Sequence, residues 1–233
     1  MSDILCTIEQ IQPLTAFVQK ITFRPQQPVN FAAGQYVRVV MGKDDRRPFS
    51  LANPSHETDC LELHIGASEQ NPYAWEVLQH LQKNSQFHID GPMGNAGLPS
   101  TLSPKPTILL AGGTGFSYTR SILLSLLEHN AKEPIFLYWG TRTIEDMYAK
   151  AELETLANKY KHFVFVPVVE EAEEDWQGKT GFVHQAILKD FVSLEPYQVY
   201  VAGRFEMAGV ARNDFQLQGL LPDNLYGDAY EFI

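Results

Sequence analysis

The chain of 233 residues has few cysteines and lacks any familiar arrangement of metal ligands. Its two cysteines, Cys6 and Cys60, are far apart and have no paired spacing, which argues against a disulfide framework and against a zinc site. The seven histidines are scattered, and none of them belongs to an H-E-x-x-H motif or to a His/Cys cluster. We therefore predict reduced thiols and no metal.

Basic residues and long apolar runs are also scarce. Lys and Arg number 18 against 28 Asp and Glu, so the formal net charge is −10. This balance argues against nucleic acid or an anionic membrane as the main partner, because both favour a basic patch. The first residues include no basic segment followed by an apolar run, and no stretch is long enough to span a membrane. We therefore predict a cytoplasmic protein with no membrane partner.

Apolar residues, in contrast, are plentiful: they make up 44% of the chain and follow two different patterns. The first hundred residues contain short alternating segments separated by turn formers: ILCTIEQIQPL, FVQKITFRP, QYVRVVM, LELHIGA and SQFHIDG. Such spacing predicts an antiparallel barrel or sandwich. One helix is expected at residues 74–81, where Trp75, Leu78 and Leu81 are three residues apart.

The pattern changes after a Pro/Ser-rich stretch at residues 97–106. Beyond it, continuously apolar strands such as TILLAGG, IFLYWG, FVFVPVVE and QVYVAG alternate with helical segments. This alternation predicts a doubly wound parallel sheet covered on both faces. We place the first domain at residues 1–98 and the second at residues 104–233.

A glycine cluster follows the first strand of the second domain and precedes a helix. Glycines at such a point let the backbone approach a pyrophosphate, and the helix supplies unpaired N–H groups. The match to G-x-G-x-x-G is incomplete, because position 118 is Tyr. The candidate residues are Gly112, Gly113, Thr114, Gly115, Phe116 and Ser117.

Two further elements of the second domain bear on dinucleotide binding. A later strand is followed by Gly203, Arg204, Phe205 and Met207. Because parallel strands end at the same edge of a sheet, this loop should flank the same ligand. Arg142 follows the second strand. It either meets a 2′-phosphate or is solvated, so NADH and NADPH remain equal alternatives.

One segment of the first domain groups unlike side chains: Arg47, Pro48, Phe49 and Ser50. An Arg can bind phosphate or a ribityl oxygen, a Phe can cover an aromatic ring, and a hydroxyl can bond a ring nitrogen. Chemistry alone leaves open whether this segment is a flavin site or an ordinary edge strand.

The sequence resembles the ferredoxin–NADP reductase superfamily, and within it the bacterial NAD(P)H:flavin oxidoreductases, some of which supply reduced flavin to luciferase. The resemblance spans residues 31–233 and rests on motifs that occur in the family's order: FAAGQYV, RRPFSLAN, LELHIGAS, GPMG, LLAGGTGFSYTRSILL, FLYWGTR, VYVAGRFEMA and GDAYEFI. It implies an antiparallel flavin-binding barrel followed by a nucleotide-binding α/β domain.

The resemblance also implies roles for particular residues. Arg47 would contact the flavin side chain, Phe49 would lie beside the flavin, and Ser50, the catalytic candidate, would lie near flavin N5. The LELHIGAS strand would line the flavin site with His64, Ile65, Gly66, Ala67 and Ser68. The loop containing Gly203 and Met207 would lie near the nicotinamide.

Three departures from the superfamily pattern matter. The usual Cys of the late glycine motif is Ala202, the usual Pro of the G-T-G loop is Tyr118, and Phe232-Ile233 replaces the terminal Tyr or Trp that covers the flavin. The segment after Gly94 is too short to include an obvious loop for the adenosine of FAD. This favours riboflavin or FMN as an exchangeable substrate over FAD as a prosthetic group.

The predicted activity is hydride transfer from NADH or NADPH to free riboflavin, FMN or FAD. The reduced flavin would then reach a flavin-dependent monooxygenase or luciferase by diffusion. One alternative is a reductase with tightly bound FAD that feeds an iron–sulfur or oxygenase partner. Another is a non-catalytic nucleotide-binding redox sensor.

Overall fold

The computed structural model describes residues 3–68, 71–129, 131–231 and 233. Phe232, whose covering role was in question, lies outside the described residues. The described chain forms one antiparallel six-stranded sheet followed by one parallel six-stranded sheet with helices, which confirms the predicted fold class. No described helix has the length and apolar character needed to cross a membrane.

The first sheet has the strand order β4-β3-β6-β1-β2-β5. Its two outer strands meet, because Leu51 bridges Leu63 and the Ala52 amide donates to the Glu62 carbonyl at 2.9 Å, so the sheet closes into a barrel. The elements are β1 (Ile4–Pro13), β2 (Val18–Pro25), β3 (Tyr36–Val40), β4 (Arg46–Ser50), β5 (Leu61–Gly66), α1 (Pro72–Lys83) and β6 (Gln86–Met93).

Alternation along the strands decides what fills the barrel. Ile21 and Phe23 of β2 and Leu63 and Ile65 of β5 are fully buried inside it, whereas Glu62 and His64 face outward. The helix expected at residues 74–81 is α1, whose Ala74, Val77, Leu78 and Leu81 are buried against the barrel.

The second sheet is entirely parallel, in the order β10-β9-β8-β7-β11-β12. Helices α2 and α3 cover one face and α4 and α5 cover the other. The elements are β7 (Thr107–Gly112), α2 (Phe116–Glu128), β8 (Ile135–Thr141), α3 (Lys150–Lys159), β9 (Phe163–Val169), β10 (Lys179–Thr180), α4 (Val183–Asp190), β11 (Gln198–Ala202), α5 (Phe205–Leu217) and β12 (Leu225–Tyr226). The two-residue strands β10 and β12 were not predicted, because so short a segment has no periodicity.

The two sheets are joined by residues 94–106, and the boundary at 98–104 stays a prediction. Helix α2 packs against the loop between β4 and β5: Ser121 donates to the Asn53 carbonyl at 2.7 Å, and Arg120 donates to the Ala52 carbonyl at 2.8 Å. Tyr118, which stands where the superfamily has Pro, is buried between the domains and donates its hydroxyl to the Ala96 carbonyl at 2.5 Å. This departure therefore bonds α2 to the segment that joins the two sheets.

Candidate active site at the domain seam

The glycine loop after β7 is built by close backbone approach. Residues Gly113–Gly115 form a 3₁₀ turn that leads into α2, and Gly113 has a φ of +54°, which favours glycine. A Cβ on Gly115 would lie 2.4 Å from the Ala202 carbonyl oxygen at the end of β11. The turn can therefore pass over the neighbouring strand only because Gly115 has no side chain.

The second glycine loop reaches the same place. A Cβ on Gly203 would lie 3.4 Å from the Cα of Gly112, and a Cβ on Gly112 would lie 2.7 Å from the Met207 sulfur. The strand order reverses here, since β8 and β9 lie on one side of β7 and β11 lies on the other. This is the point of a doubly wound sheet where a dinucleotide has room to bind.

The predicted flavin strands end beside that loop. A Cβ on Gly66, the last residue of β5, would lie 2.8 Å from Cγ2 of Thr114. Ser50 is half-buried at the end of β4, next to Leu51, which bridges Leu63 of β5. The end of the Gly66 strand thus lies beside the predicted pyrophosphate loop, and the Ser50 strand adjoins the Gly66 strand through Leu51 and Leu63.

Arg47 is bonded within the first domain. Its guanidinium donates to Asp45 and Glu76 carboxylates at 2.7 Å each and to the Tyr73 carbonyl at 2.6 Å, and it lies 4.8 Å from the centroid of the Tyr73 ring. The pKa of Arg47 is raised above its ordinary value, mainly by the hydrogen bond to the Asp45 carboxylate. Two carboxylates therefore offset the charge that Arg47 offers to a ligand.

His64 faces the second domain. Its Nε2 is 2.7 Å from the Glu62 carboxylate and its Nδ1 is 3.0 Å from the Tyr148 hydroxyl. Burial is the main cause that lowers the pKa of His64, so its neutral form is favoured. Of the other residues predicted to line the flavin site, Ile65 and Ala67 are buried in the barrel core and Ser68 is half-buried.

The remaining predicted residues divide between interior and surface. Phe116 is fully buried, and the Ser117 hydroxyl is buried without a partner among the described residues. Phe49 is half-buried and packs against the barrel core, whereas Pro48 is exposed.

Arg204 and Phe205 are exposed at the start of α5. Arg142 is exposed and donates to Glu171 at 2.8 Å.

Comparison with known proteins shows the family to which the chain belongs. A model of the oxidoreductase NAD-binding domain matches residues 109–213. An NAD(P)H-flavin reductase of Vibrio harveyi is 49% identical, covering 99% of this chain and 99% of its own length. Another, from Aliivibrio fischeri, is 47% identical over 98% of each. The chain belongs to the NAD(P)H-flavin reductase family. This confirms the resemblance from the sequence.

Solved structures place this flavin reductase in a wider fold group. The crystal structure of a cytochrome P450 reductase from Amycolatopsis superposes with a TM-score of 0.88 and is 26% identical, over 97% of this chain and 69% of that one. The reductase of a carbazole dioxygenase superposes with a TM-score of 0.85 at 22% identity, covering 98% of this chain and 69% of its own, which shows a shared fold.

Sequence reasoning missed Asp228, which the flavin reductase fold brings to the barrel side of the seam. A Cβ on Gly94 would lie 3.1 Å from its Oδ1 and 3.2 Å from the ring of Tyr36, the residue paired with Ser50. Oδ1 is buried with no hydrogen-bond partner among the described residues. The pKa of Asp228 is raised to about 6, mainly by its burial and secondly by the negative charge of Glu231. No local pattern in GDAYEFI marks this position as buried.

Asp228→Asn should make stability less dependent on pH. The pKa of Asp228 is raised from 3.8 to about 6 in the folded protein. The protonated carboxyl therefore favours folding at low pH, and this contribution to stability is lost as the pH rises from 3.8 to about 6. At about pH 8 the variant should be more stable than the natural chain by up to about 3 kcal/mol, with little difference near pH 4.

Urea unfolding across this pH range measures the effect. Asp223→Asn is the matched control, because Asp223 is an exposed carboxylate of the same C-terminal segment. A constant difference between the Asp228 variant and the natural chain at every pH would contradict the assignment.

Proposed function

We propose that this flavin reductase transfers a hydride from a reduced nicotinamide dinucleotide to a free flavin and releases the reduced flavin. The observation that carries the proposal is the contact between Gly66 of the barrel and Thr114 of the glycine loop, which puts the predicted flavin strand beside the predicted pyrophosphate loop. The bound substrates supply the chemistry, a hydride donor at nicotinamide C4 and an acceptor at flavin N5.

The residues of the chain would bind and orient. Gly112, Gly115 and Gly203 let the two glycine loops approach each other, and the first turn of α2 would direct N–H groups toward the phosphates of the dinucleotide. Ser50 would place a hydroxyl beside the flavin ring. Hydride transfer needs no strong acid or base for the hydride itself, so orientation should account for most of the rate.

The surroundings of Arg47 favour riboflavin over FMN. Its guanidinium is already paired with Asp45 and Glu76 and stacked on Tyr73, so a flavin phosphate would meet two carboxylates as well as one cation. The ribityl chain of riboflavin has no charge and meets no such repulsion. Charge repulsion at a binding site is an effective way to discriminate between ligands.

Glu76→Gln is therefore expected to raise kcat/KM for FMN relative to that for riboflavin by about five- to tenfold, since it removes one negative charge beside Arg47. Steady-state kinetics with the two flavins measures the ratio. Glu9→Gln, which removes a carboxylate paired with Arg24 on the same barrel, is the control and should leave the ratio unchanged. An unchanged ratio in the Glu76 variant would show that Arg47 does not meet the flavin side chain.

Acidic residues at the ends of β8 and β9 favour NADH over NADPH. A cavity there is lined by Glu145, Glu171, Glu173 and Asp175 together with Trp176. Arg142, the residue considered for a 2′-phosphate, is paired with Glu171 at the same edge. A 2′-phosphate would therefore enter a negatively charged region, whereas an unphosphorylated ribose would find hydrogen-bond acceptors.

The test is a steady-state assay that crosses riboflavin, FMN and FAD with NADH and NADPH, followed at the nicotinamide absorbance band. We expect turnover with every flavin and the highest kcat/KM for riboflavin with NADH. A yellow purified protein with stoichiometric FAD would favour the alternative with a bound prosthetic group. No NADH oxidation above background would favour the redox sensor.

The destination of the reduced flavin is also part of the proposal. Free reduced flavin would reach a flavin-dependent monooxygenase or a luciferase by diffusion, without a docked complex. We propose a cytoplasmic location, which is consistent with the free thiols of Cys6 and Cys60 among the described residues.

A further inference from the structure

Four buried or half-buried rings form a wedge between β5 and the nucleotide sheet: His64, Phe116, Trp139 and Tyr148. Phe116 and Trp139 stack with centroids 4.0 Å apart and planes inclined by 10°. Tyr148 forms T-shaped contacts with Trp139 and His64, with ring centroids 5.0 Å and 5.3 Å apart. We refer to these four side chains as the ring wedge. It packs one ring of the flavin-side strand against three rings of the nucleotide domain.

Trp139 is fully buried, and its side chain bonds to the glycine loop. A buried indole N–H needs an acceptor, and here Nε1 donates to the carbonyl oxygen of Gly113 at 2.9 Å. The same oxygen also accepts the amide of Phe116. Trp139 therefore bonds the turn that is predicted to hold the pyrophosphate.

The bond has a directional consequence for the loop. Gly113 C=O and Thr114 N–H belong to one planar trans peptide, so they point in opposite directions. With the carbonyl directed inward at Trp139, the Thr114 N–H is directed outward, on the residue that borders Gly66 of the flavin-side strand. An outward N–H before the first turn of a helix is the donor that an anionic phosphate requires.

We propose that Trp139 is a positioning residue for the dinucleotide: its indole N–H orients the Gly113–Thr114 peptide so that the Thr114 amide binds the pyrophosphate. The inference rests on the proposed function, because it takes the glycine loop as the pyrophosphate site. The remaining rings hold the indole in place, since Tyr148 is bonded to His64 at 3.0 Å and His64 to Glu62 at 2.7 Å.

Trp139→Phe tests this, because it keeps an aromatic ring against Phe116 and removes the donor. We expect KM for NADH to rise by about five- to tenfold, the loss typical of one hydrogen bond between neutral groups, while kcat and KM for riboflavin change less than about twofold. The dissociation constant of ADP-ribose, which contains the pyrophosphate, should rise by the same factor. That of AMP, which lacks the pyrophosphate, should not.

Tyr138→Phe is the matched control. Tyr138 is the preceding residue of β8 and is packed on the opposite face of the sheet, and the variant loses one partly buried hydrogen bond, to Asp190 at 2.6 Å. It should lower stability without changing KM for NADH. If Trp139→Phe fails to fold, benzothienylalanine at the same position keeps the indole shape without the N–H and serves as the second variant.

Unchanged ADP-ribose affinity in the variant, or equal losses for ADP-ribose, AMP and riboflavin, would overturn the assignment of Trp139. These outcomes are separate from failure of the proposed function, which would appear as absence of NADH oxidation by the natural chain with riboflavin.

Discussion

Ser50→Ala is expected to lower kcat with riboflavin by roughly one to three orders of magnitude, with KM for NADH nearly unchanged. Ser50 ends β4, next to the point where the barrel closes through Leu51 and Leu63. Its hydroxyl would contact the flavin ring where the hydride arrives. A hydrogen bond at that position stabilises the charge that develops on the ring, so its loss should affect turnover more than binding.

Stopped-flow measurement of the hydride-transfer rate, alongside steady-state kinetics, would separate chemistry from product release. Ser50→Thr keeps a hydroxyl and should recover part of the rate. Ser85→Ala, at an exposed serine just before β6, should behave as the natural chain does. Unaltered turnover in Ser50→Ala with retained riboflavin affinity would exclude Ser50 from the chemistry.

Gly115→Ala is expected to reduce kcat/KM for NADH by about a hundredfold or more, because a displacement of about 1 Å at a binding element has effects of that size. The added methyl group would lie 2.4 Å from the Ala202 carbonyl oxygen and 2.8 Å from the Gly203 amide nitrogen. Both are backbone atoms and cannot rotate away. The glycine loop and the Gly203 loop would therefore have to separate.

The measurements are NADH kinetics and ADP-ribose titration, with urea unfolding to record the loss of stability. Gly209→Ala is the matched control in the same domain: its Cβ would lie 3.7 Å from Cδ1 of Ile233, an ordinary van der Waals contact, and alanine should stabilise the interior of α5 by up to about 1 kcal/mol. Near-normal ADP-ribose binding by the Gly115 variant would mean that the dinucleotide does not depend on this turn.

Local patterns in the sequence were sufficient to predict the architecture. Alternation with period two predicted the barrel strands, and continuous apolar runs ending in glycine predicted the parallel strands. Each pattern indicates whether one face or both faces of a strand are buried. The glycine loops were predictable because glycine before a helix permits backbone approach. The orientation of single side chains at the seam was not, because it depends on partners distant in the chain.

His64 and Arg47 illustrate that difference. The sequence assigned both to flavin binding, yet His64 is bonded to Tyr148 of the other domain and Arg47 to Glu76 of α1. Trp139 looks like an ordinary core residue within a buried strand, and nothing near Asp228 in sequence marks its burial. Hence the sequence by itself determined the two domains, their order, the family and the glycine loops, because these follow from local periodicity and backbone sterics. Only the tertiary structure decided which charges are neutralised, which polar atoms lack partners and which ring holds the loop, because these depend on contacts between residues far apart in sequence.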